Sequence, residues 1–243
     1  MGATIAWDKM LLGQGFGTRK ACRALVEAGR VAVAGAVVDD WRQSVATDGL
    51  HFTVDGIEWR WRAHWVVALH KPVDIECSRK PSHHPSVMSL LPAPLRERGV
   101  QPVGRLDHDT TGLLLLSDDG AFIHAMSSPR RDVPKVYVAQ TFEPVTTELL
   151  AALRGGVQLH DEPAPLAATH CVALGERTLE IVVAQGKYHQ VKRMLAAAGN
   201  HCTALCRTAI GGLRLDALDL APGQWCELDA AQRATILTGA AIA

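Results

Sequence analysis

The chain has 243 residues, enough for one sizeable core or for a small module joined to a larger one. No apolar run approaches bilayer length and no signal-peptide pattern opens the chain, so a soluble, cytoplasmic protein is expected. Lys and Arg (25) balance Asp and Glu (25), which excludes an evenly basic surface, yet Ile181 to Leu215 holds no acid beside Lys187, Lys192, Arg193, Arg207 and Arg214.

Asp8 to Gln14 reads as a short helix, broken by Gly13, Gly15 and Gly17. Thr18 is suited to cap a second helix that Gly29 ends, with Ala21, Ala24, Leu25 and Ala28 as its apolar stripe. Arg19, Lys20 and Arg23 fall mainly on the other side, and such a face is ordinarily just solvated. Val31 to Val33, a turn at Ala34-Gly35, and Val37-Val38 make a hairpin, and Asp48 to Glu58 a last strand. Two short helices and a hairpin, with Asp8-Lys9, Thr18-Arg19-Lys20 and Gly29-Arg30-Val31-Ala32-Val33, resemble the S4 RNA-binding domain. Trp7 stands where that family often has arginine. The resemblance implies phosphate contacts from Lys9, Arg19, Lys20, Arg23 and Arg30, which fix position rather than read sequence. Trp59, Trp61 and Trp65 either stack on bases or pack where two modules meet.

Val66 to Leu69 is the next strand, ending in His70-Lys71-Pro72. His83 and His84 share a proline-bounded loop with no third ligand in sight, and no metal is read there. Gly104-Arg105-Leu106-Asp107-His108-Asp109-Thr110-Thr111-Gly112 then runs into Leu113 to Leu116, an apolar run short enough for a buried strand. A carboxylate entering such a run must be paired or pay heavily in desolvation. Asp107 is therefore either a structural ion-pair member or a reactive group held ready. The stretch resembles the Gly-Arg-Leu-Asp-x-x-Thr-x-Gly-Leu signature of RNA pseudouridine synthases, in which the aspartate is catalytic. That implies catalysis by Asp107, kept anionic by a nearby cation, with Arg105 touching the RNA backbone or holding the gap left by an extruded base. Asp109 is the alternative carboxylate, or else caps the turn.

Ala121 to Ser127 reads as a short helix starting at Asp118-Asp119-Gly120. Ser128-Pro129-Arg130 and Lys135-Val136-Tyr137-Val138 resemble the same family's Ser-Pro-Arg … Lys-x-Tyr-x-Val segment, which implies that Tyr137 lies against the target base. Thr146 to Arg154 is a helix ended by Gly155-Gly156, Val157 to Thr169 a connecting hairpin or loop, and Leu179 to Val183 a strand. Gln185-Gly186-Lys187-Tyr188-His189-Gln190-Val191-Lys192-Arg193-Met194 is similar to the family's Glu-Gly-Lys-x-His-Gln-Val-(Lys/Arg)-Arg-Met, with Gln185 in place of the acid. Gln190 to Ala198 is helical, with Val191, Met194, Leu195 and Ala198 facing the core. Lys192 and Arg193 sit in its first turn, where the helix dipole disfavours cations, so an anionic partner is required. The resemblance makes that partner the catalytic aspartate and Lys192 its mate, with Arg193 the neighbouring candidate. Leu205 to Leu228 reads as strands around Gly211-Gly212, with Arg207 and Arg214 on an edge able to track RNA backbone.

Six scattered cysteines lack a framework spacing, and His201-Cys202 with Cys206 has no matching second pair, so neither disulfides nor zinc are expected. No phosphate loop or nucleotide fingerprint calls for a cofactor. The resemblance implies an α+β protein: an S4-like module over residues 1–60, then a catalytic domain over 61–243 on a mixed, largely antiparallel sheet. It implies isomerisation of uridine in ribosomal RNA, with His84-Pro85 and Pro129-Arg130 pointing to the small subunit. A large-subunit target and a non-catalytic RNA-binding assembly factor are the alternatives. Further RNA contacts are expected from Lys71, Arg130, Lys135, Lys187, His189, Gln190 and Arg193. The partner is ribosomal RNA or a partly assembled small subunit, and a monomer is expected because no coiled-coil seam is present.

Overall fold

The computed structural model describes residues 4–127 and 132–237. The chain divides into two compact units, Met1–Trp65 with Leu91–Gln101, and Val66–Leu90 with Pro102–Ala243.

In the first unit, β1 (Thr4–Ala6) leads into α1 (Trp7–Gly13) and α2 (Arg19–Glu27), followed by β2 (Val31–Val33), β3 (Ala36–Val37), β4 (Ser44–Ala46), β5 (His51–Val54) and β6 (Ile57–Arg60). The short helix α3 (Ala93–Glu97) completes it. The Thr18 hydroxyl accepts from the Ala21 N–H at 3.3 Å and so caps α2. The single strand expected over 48–58 is two, because Asp55 and Gly56 both take positive φ (54° and 77°) and turn the chain back on itself. Trp7, Met10, Leu11, Cys22, Val26 and Phe52 form the core, and Trp59 and Trp61 pack against it.

That core also organises the cations of the unit. Asp8 is buried, and a carboxylate there requires a counter-charge. Arg23 supplies it at 2.9 Å and Arg19 at 3.4 Å, while the Arg23 guanidinium lies 3.9 Å over the Trp41 ring. Arg30 grips Asp55 with two bonds of 2.5 and 2.6 Å. Of the five cations expected on RNA, Lys9 and Lys20 stand exposed, while Arg19, Arg23 and Arg30 are paired with acids of their own unit.

The second unit is built on one sheet. Its strands are β7 (Val66–Lys71), β8 (Gln101–Val103), β9 (Thr110–Ser117), β10 (Lys135–Thr141), β11 (His170–Gly175), β12 (Thr178–Val183), β13 (Cys202–Ile210), β14 (Leu213–Arg214) and β15 (Trp225–Glu227). The main order is β11-β12-β10-β13-β9-β7-β15, with β9 and β13 parallel and the other neighbours antiparallel. Helices α4 (Gly120–Ser127), α5 (Thr147–Gly155), α6 (Gln190–Ala197) and α7 (Ala230–Leu237) flank it, which makes the unit α+β on a mixed, largely antiparallel sheet. Leu113 to Leu116 are fully buried, as the unbroken apolar run requires of a strand covered on both faces. One core gathers Leu153, Leu179, Ile181, Val191, Met194 and Leu195. Another gathers Val66, Leu113, Leu115, Ile210, Leu228 and Ile236.

Gly112 sets how closely the two parallel strands approach. Its φ is +106°, and a Cβ there would lie 2.2 Å from the Arg207 carbonyl oxygen and 2.6 Å from its nitrogen. Only glycine lets β9 and β13 close at this point. The short elements β1, β4, α3 and β8 escape the sequence reading, as do β11 and α7. Strand β11 lies at the sheet edge and its second half, Ala173 to Gly175, is exposed on both faces, so its alternation is weak. Helix α7 is short and of mixed polarity. Among the described residues no helix is long and apolar enough to cross a membrane.

Candidate active site

Gly104 (φ +79°) turns the chain off β8, and the following loop is pinned from beneath. Leu106 is buried and its N–H points to the Cys77 sulfur at 3.4 Å. Lys71, at the end of β7, is wholly buried. Its ammonium donates to the carbonyls of Pro72 (2.8 Å), Thr110 (2.9 Å) and His108 (3.0 Å). Burial holds its pKa below the ordinary lysine value. The expected RNA contact at Lys71 is therefore corrected: this ammonium is enclosed, and it fastens the turn that carries Asp107 and Asp109.

The opposing wall comes from the start of α6. His189 takes a left-handed φ of +46° at the helix cap, and its Nε2 lies 3.0 Å from Asp107 Oδ1. One turn into the helix, Lys192 Nζ donates to Asp107 Oδ2 at 3.1 Å and to Asp109 Oδ1 at 2.6 Å. These two carboxylates supply the anions that a lysine in the first turn requires. Burial works against the Lys192 charge, but the bonds to Asp109 and Asp107 outweigh it and raise its pKa. Burial likewise opposes the Asp109 charge, and Lys192 prevails, holding that carboxyl below its usual range. The Asp107 side chain is 28% exposed, half in and half out of the wall.

Neighbouring residues hold this wall rather than reach outward. Gln190 is buried, and its side-chain oxygen accepts from the Lys187 N–H at 3.1 Å. It also lines the small cavity that Asp107 and Tyr137 share. Arg193 donates to the carbonyls of Tyr188 and His160. Lys187 pairs with Glu162 at 3.0 Å and stays partly exposed.

Tyr137 on β10 lies opposite Ile181 on β12 and Arg207 on β13. With Arg105, Asp107, His189, Val191 and Leu205 it lines a cavity of about 70 Å³. A larger cleft of about 630 Å³ shares Arg105, Tyr137 and Lys187 with that cavity and adds Lys135 and Arg207. Arg105 is exposed and faces both spaces. Lys135 donates to the carbonyls of Val133 (2.8 Å) and Ala184 (3.1 Å), and burial, then the Arg207 charge, lowers its pKa. Arg207 is not on a sheet edge: β13 lies between β10 and β9, so the residue is 4% exposed. Arg214 pairs with Asp216 at 2.9 Å. Arg130 lies outside the described residues.

The fold also brings together what the chain separates. Donor atoms of Asp74, His84 and His108 lie within 4.8 Å of one another, and the two imidazoles stack at 4.4 Å. His83 is not one of the three; His84 meets Asp74, from earlier in its own loop, and His108, from the turn that carries Asp107, which distance along the chain had hidden. The approach of His189 to Asp107 was likewise hidden in distance along the chain. Arg207 had left a signal, a cation among Leu205, Cys206, Ala209 and Ile210 in a largely apolar strand run. Chemically, the wall presents a carboxylate between an imidazole and an ammonium, facing an aromatic ring across a small cavity. Such a carboxylate can act as nucleophile or base toward a flat ring seated on the tyrosine.

The RNA pseudouridylate synthase family matches residues 65–197. Ribosomal small subunit pseudouridine synthase A of Escherichia coli strain K12 is 38% identical over 169 residues, which is 70% of this chain and 72% of that protein. An uncharacterized RNA pseudouridine synthase of Bacillus subtilis strain 168 is 34% identical over 225 residues, 91% of this chain and 93% of that one. A crystal structure of a pseudouridylate synthase aligns at a TM-score of 0.67 and 28% identity, covering 96% of this chain and 99% of the other. The chain belongs to the RNA pseudouridylate synthase family and is an RNA pseudouridine synthase.

Proposed function

We propose that the enzyme converts a uridine of small-subunit ribosomal RNA to pseudouridine, with Asp107 as the catalytic carboxylate acting on a base swung out of the RNA. The observation that carries this reading is the placing of the Asp107 carboxylate, between His189 and Lys192, in the same cavity as the Tyr137 ring. The uracil is detached from its sugar, rotated and rejoined through carbon, so the reaction consumes nothing beyond the uridine itself. Asp107 adds to the base or to the sugar carbon, or assists as a base. Lys192, with Nζ 3.1 Å from its Oδ2, holds it in place. Tyr137 stacks on the extruded uracil; such stacking contributes about 1–3 kcal/mol, comparable with the cost of unstacking the base. Arg105, exposed at the mouth of both spaces, meets the backbone or the gap left behind.

The amino-terminal residues 1–60 act as an S4-like clamp on the RNA and residues 61–243 as the catalytic domain. Lys9 and Lys20, exposed on α1 and α2, are its phosphate contacts. The substrate is ribosomal RNA or a partly assembled small subunit, engaged by a monomer. The small-subunit assignment is supported by the relatives called ribosomal small subunit pseudouridine synthase A. The test is to incubate the enzyme with each ribosomal RNA, and with assembly intermediates, and to map pseudouridine. Asp107→Asn is expected to abolish product while RNA binding stays nearly intact. Product from that variant would overturn the assignment of Asp107, and product in the large subunit alone would overturn the target.

A further inference from the structure

Arg207 is the least comfortable charge in the catalytic unit. It is 4% exposed, yet among the described residues no carboxylate lies within ion-pair distance of it. Its Nε donates to the Leu113 carbonyl at 2.8 Å and one terminal nitrogen makes a long 3.4 Å contact with the Tyr137 hydroxyl. The other terminal nitrogen, Nη2, is buried and has no acceptor among the described residues. A buried donor left open is destabilising, and a buried cation without a counter-charge more so. A second cation stands beside it. Lys135 lines the same cleft, and two backbone carbonyls take two of its three N–H groups. Repulsion from Arg207 adds to burial in lowering the Lys135 pKa, so the two charges oppose each other as well as their surroundings. The acid lining the cleft, Asp132, is exposed and makes no ion pair with either among the described residues; its charge favours that of Lys135, but less than burial and Arg207 oppose it.

A chain that keeps two cations against one cleft wall, with a donor open, has left room there for an anion. We propose that the Arg207–Lys135 wall is a phosphodiester subsite, which takes a backbone phosphate next to the uridine engaged at Asp107. The inference rests on the reading of RNA as substrate and deepens it by assigning the phosphate its own partners. A guanidinium fork matches two phosphate oxygens, and an ammonium adds a point charge. Because Arg207 also touches the Tyr137 hydroxyl, the phosphate is held on the same wall that carries the stacking ring.

The experiment is a salt titration of binding to a single-stranded oligouridylate, with pseudouridine formation on ribosomal RNA measured in parallel. Arg207→Gln is expected to bind about ten-fold more weakly at low salt. Its slope of log affinity against log salt should be shallower by about 0.7, the value for one phosphate contact on a single strand. Arg207→Lys, which keeps the charge, should retain the slope. Lys135→Met gives the same loss of slope and serves if removing Arg207 prevents folding. An unchanged slope in folded Arg207→Gln or Lys135→Met overturns the subsite, since a purely structural arginine would change stability and leave the slope alone. So does a wild-type enzyme that does not bind the oligouridylate. The two arms fail separately: a lost slope without any pseudouridine in wild type keeps the subsite and removes the ribosomal substrate, while product with an unchanged slope does the reverse.

Discussion

Lys71→Met separates a lysine that holds the active-site turn from one that holds RNA. The ammonium is fully buried and serves the carbonyls of Pro72, His108 and Thr110 at 2.8–3.0 Å. Methionine keeps the length and removes all three donors. Each orphaned carbonyl costs about 1–3 kcal/mol, offset in part because a buried charge and its desolvation disappear. The net loss is about 2–4 kcal/mol, which for a chain of this size lowers Tm by about 4–16 °C. Two of the three carbonyls belong to residues flanking Asp107 and Asp109, so the turn loosens where the carboxylate must be held. A displacement of about 1 Å at such a group costs about 100-fold in rate. The assay is tritium release from RNA carrying 5-tritiated uridine, because C5 must give up its hydrogen to become the glycosidic carbon. kcat should fall about 100-fold, with KM and the salt dependence of RNA binding unchanged. A normal Tm together with a binding slope shallower by about 0.7 would refute the reasoning and make Lys71 a phosphate contact after all.

Asp109 titrates below its unfolded value of 3.8, so its pairing with Lys192 contributes stability above pH 3.8 that is lost as pH falls through the folded value. Asp109→Asn should therefore flatten the plot of Tm against pH below 3.8; a variant as steep as wild type there would show that the pair contributes nothing. Glu76 is pulled from 4.5 to about 2 by the N–H groups of His83, His84 and Ser82, so its hold on that loop is complete above pH 4.5 and fades toward pH 2. In Glu76→Gln, amide hydrogen exchange at Ser82 to His84 should be faster at pH 7, and equal protection in both proteins would remove the carboxylate from the account. Gly112→Ala forces a Cβ to 2.2 Å from backbone on β13 at a φ of +106°, which should cost about 3 kcal/mol or more in urea unfolding. A loss below about 0.5 kcal/mol would mean that β9 and β13 can part freely.

What was legible in the sequence follows from how locally each signal is written. Four consecutive leucines have one comfortable place, a strand covered on both faces, and Leu113 to Leu116 occupy it. Thr18, Thr146 and the apolar spacing of Val191, Met194 and Leu195 mark their helices by short-range chemistry. The edge strand β11 carries no such pattern, because its outer residues meet solvent whatever its conformation. Side-chain destinations are harder still. Lys71 and Lys192 are both lysines within reach of the same turn, yet one serves backbone carbonyls and the other carboxylates. Residue type alone does not separate them, because the distinction is made by which strand end or helix turn each occupies.

The balanced charge of the chain argues against a polyanionic partner only if cations and acids are counted without regard to place. Much of the balance is local cancellation: Arg19 and Arg23 with Asp8, Arg30 with Asp55, Lys187 with Glu162, Arg214 with Asp216. Each pair leaves little field behind, and the exposed ones, Arg30 with Asp55 and Arg214 with Asp216, contribute little stability as well. In the cleft, Arg105, Lys135 and Arg207 have no carboxylate within ion-pair distance among the described residues. A cleft with low-dielectric walls focuses such charges, so a few recessed cations attract an anion more strongly than the same number spread over a surface. A chain of zero net charge can therefore bind RNA through a few unpaired cations, those of the cleft and the exposed Lys9 and Lys20, while the rest of its surface contributes little. Its affinity should then show the shallow salt dependence of a few phosphate contacts rather than the steep one of a basic surface.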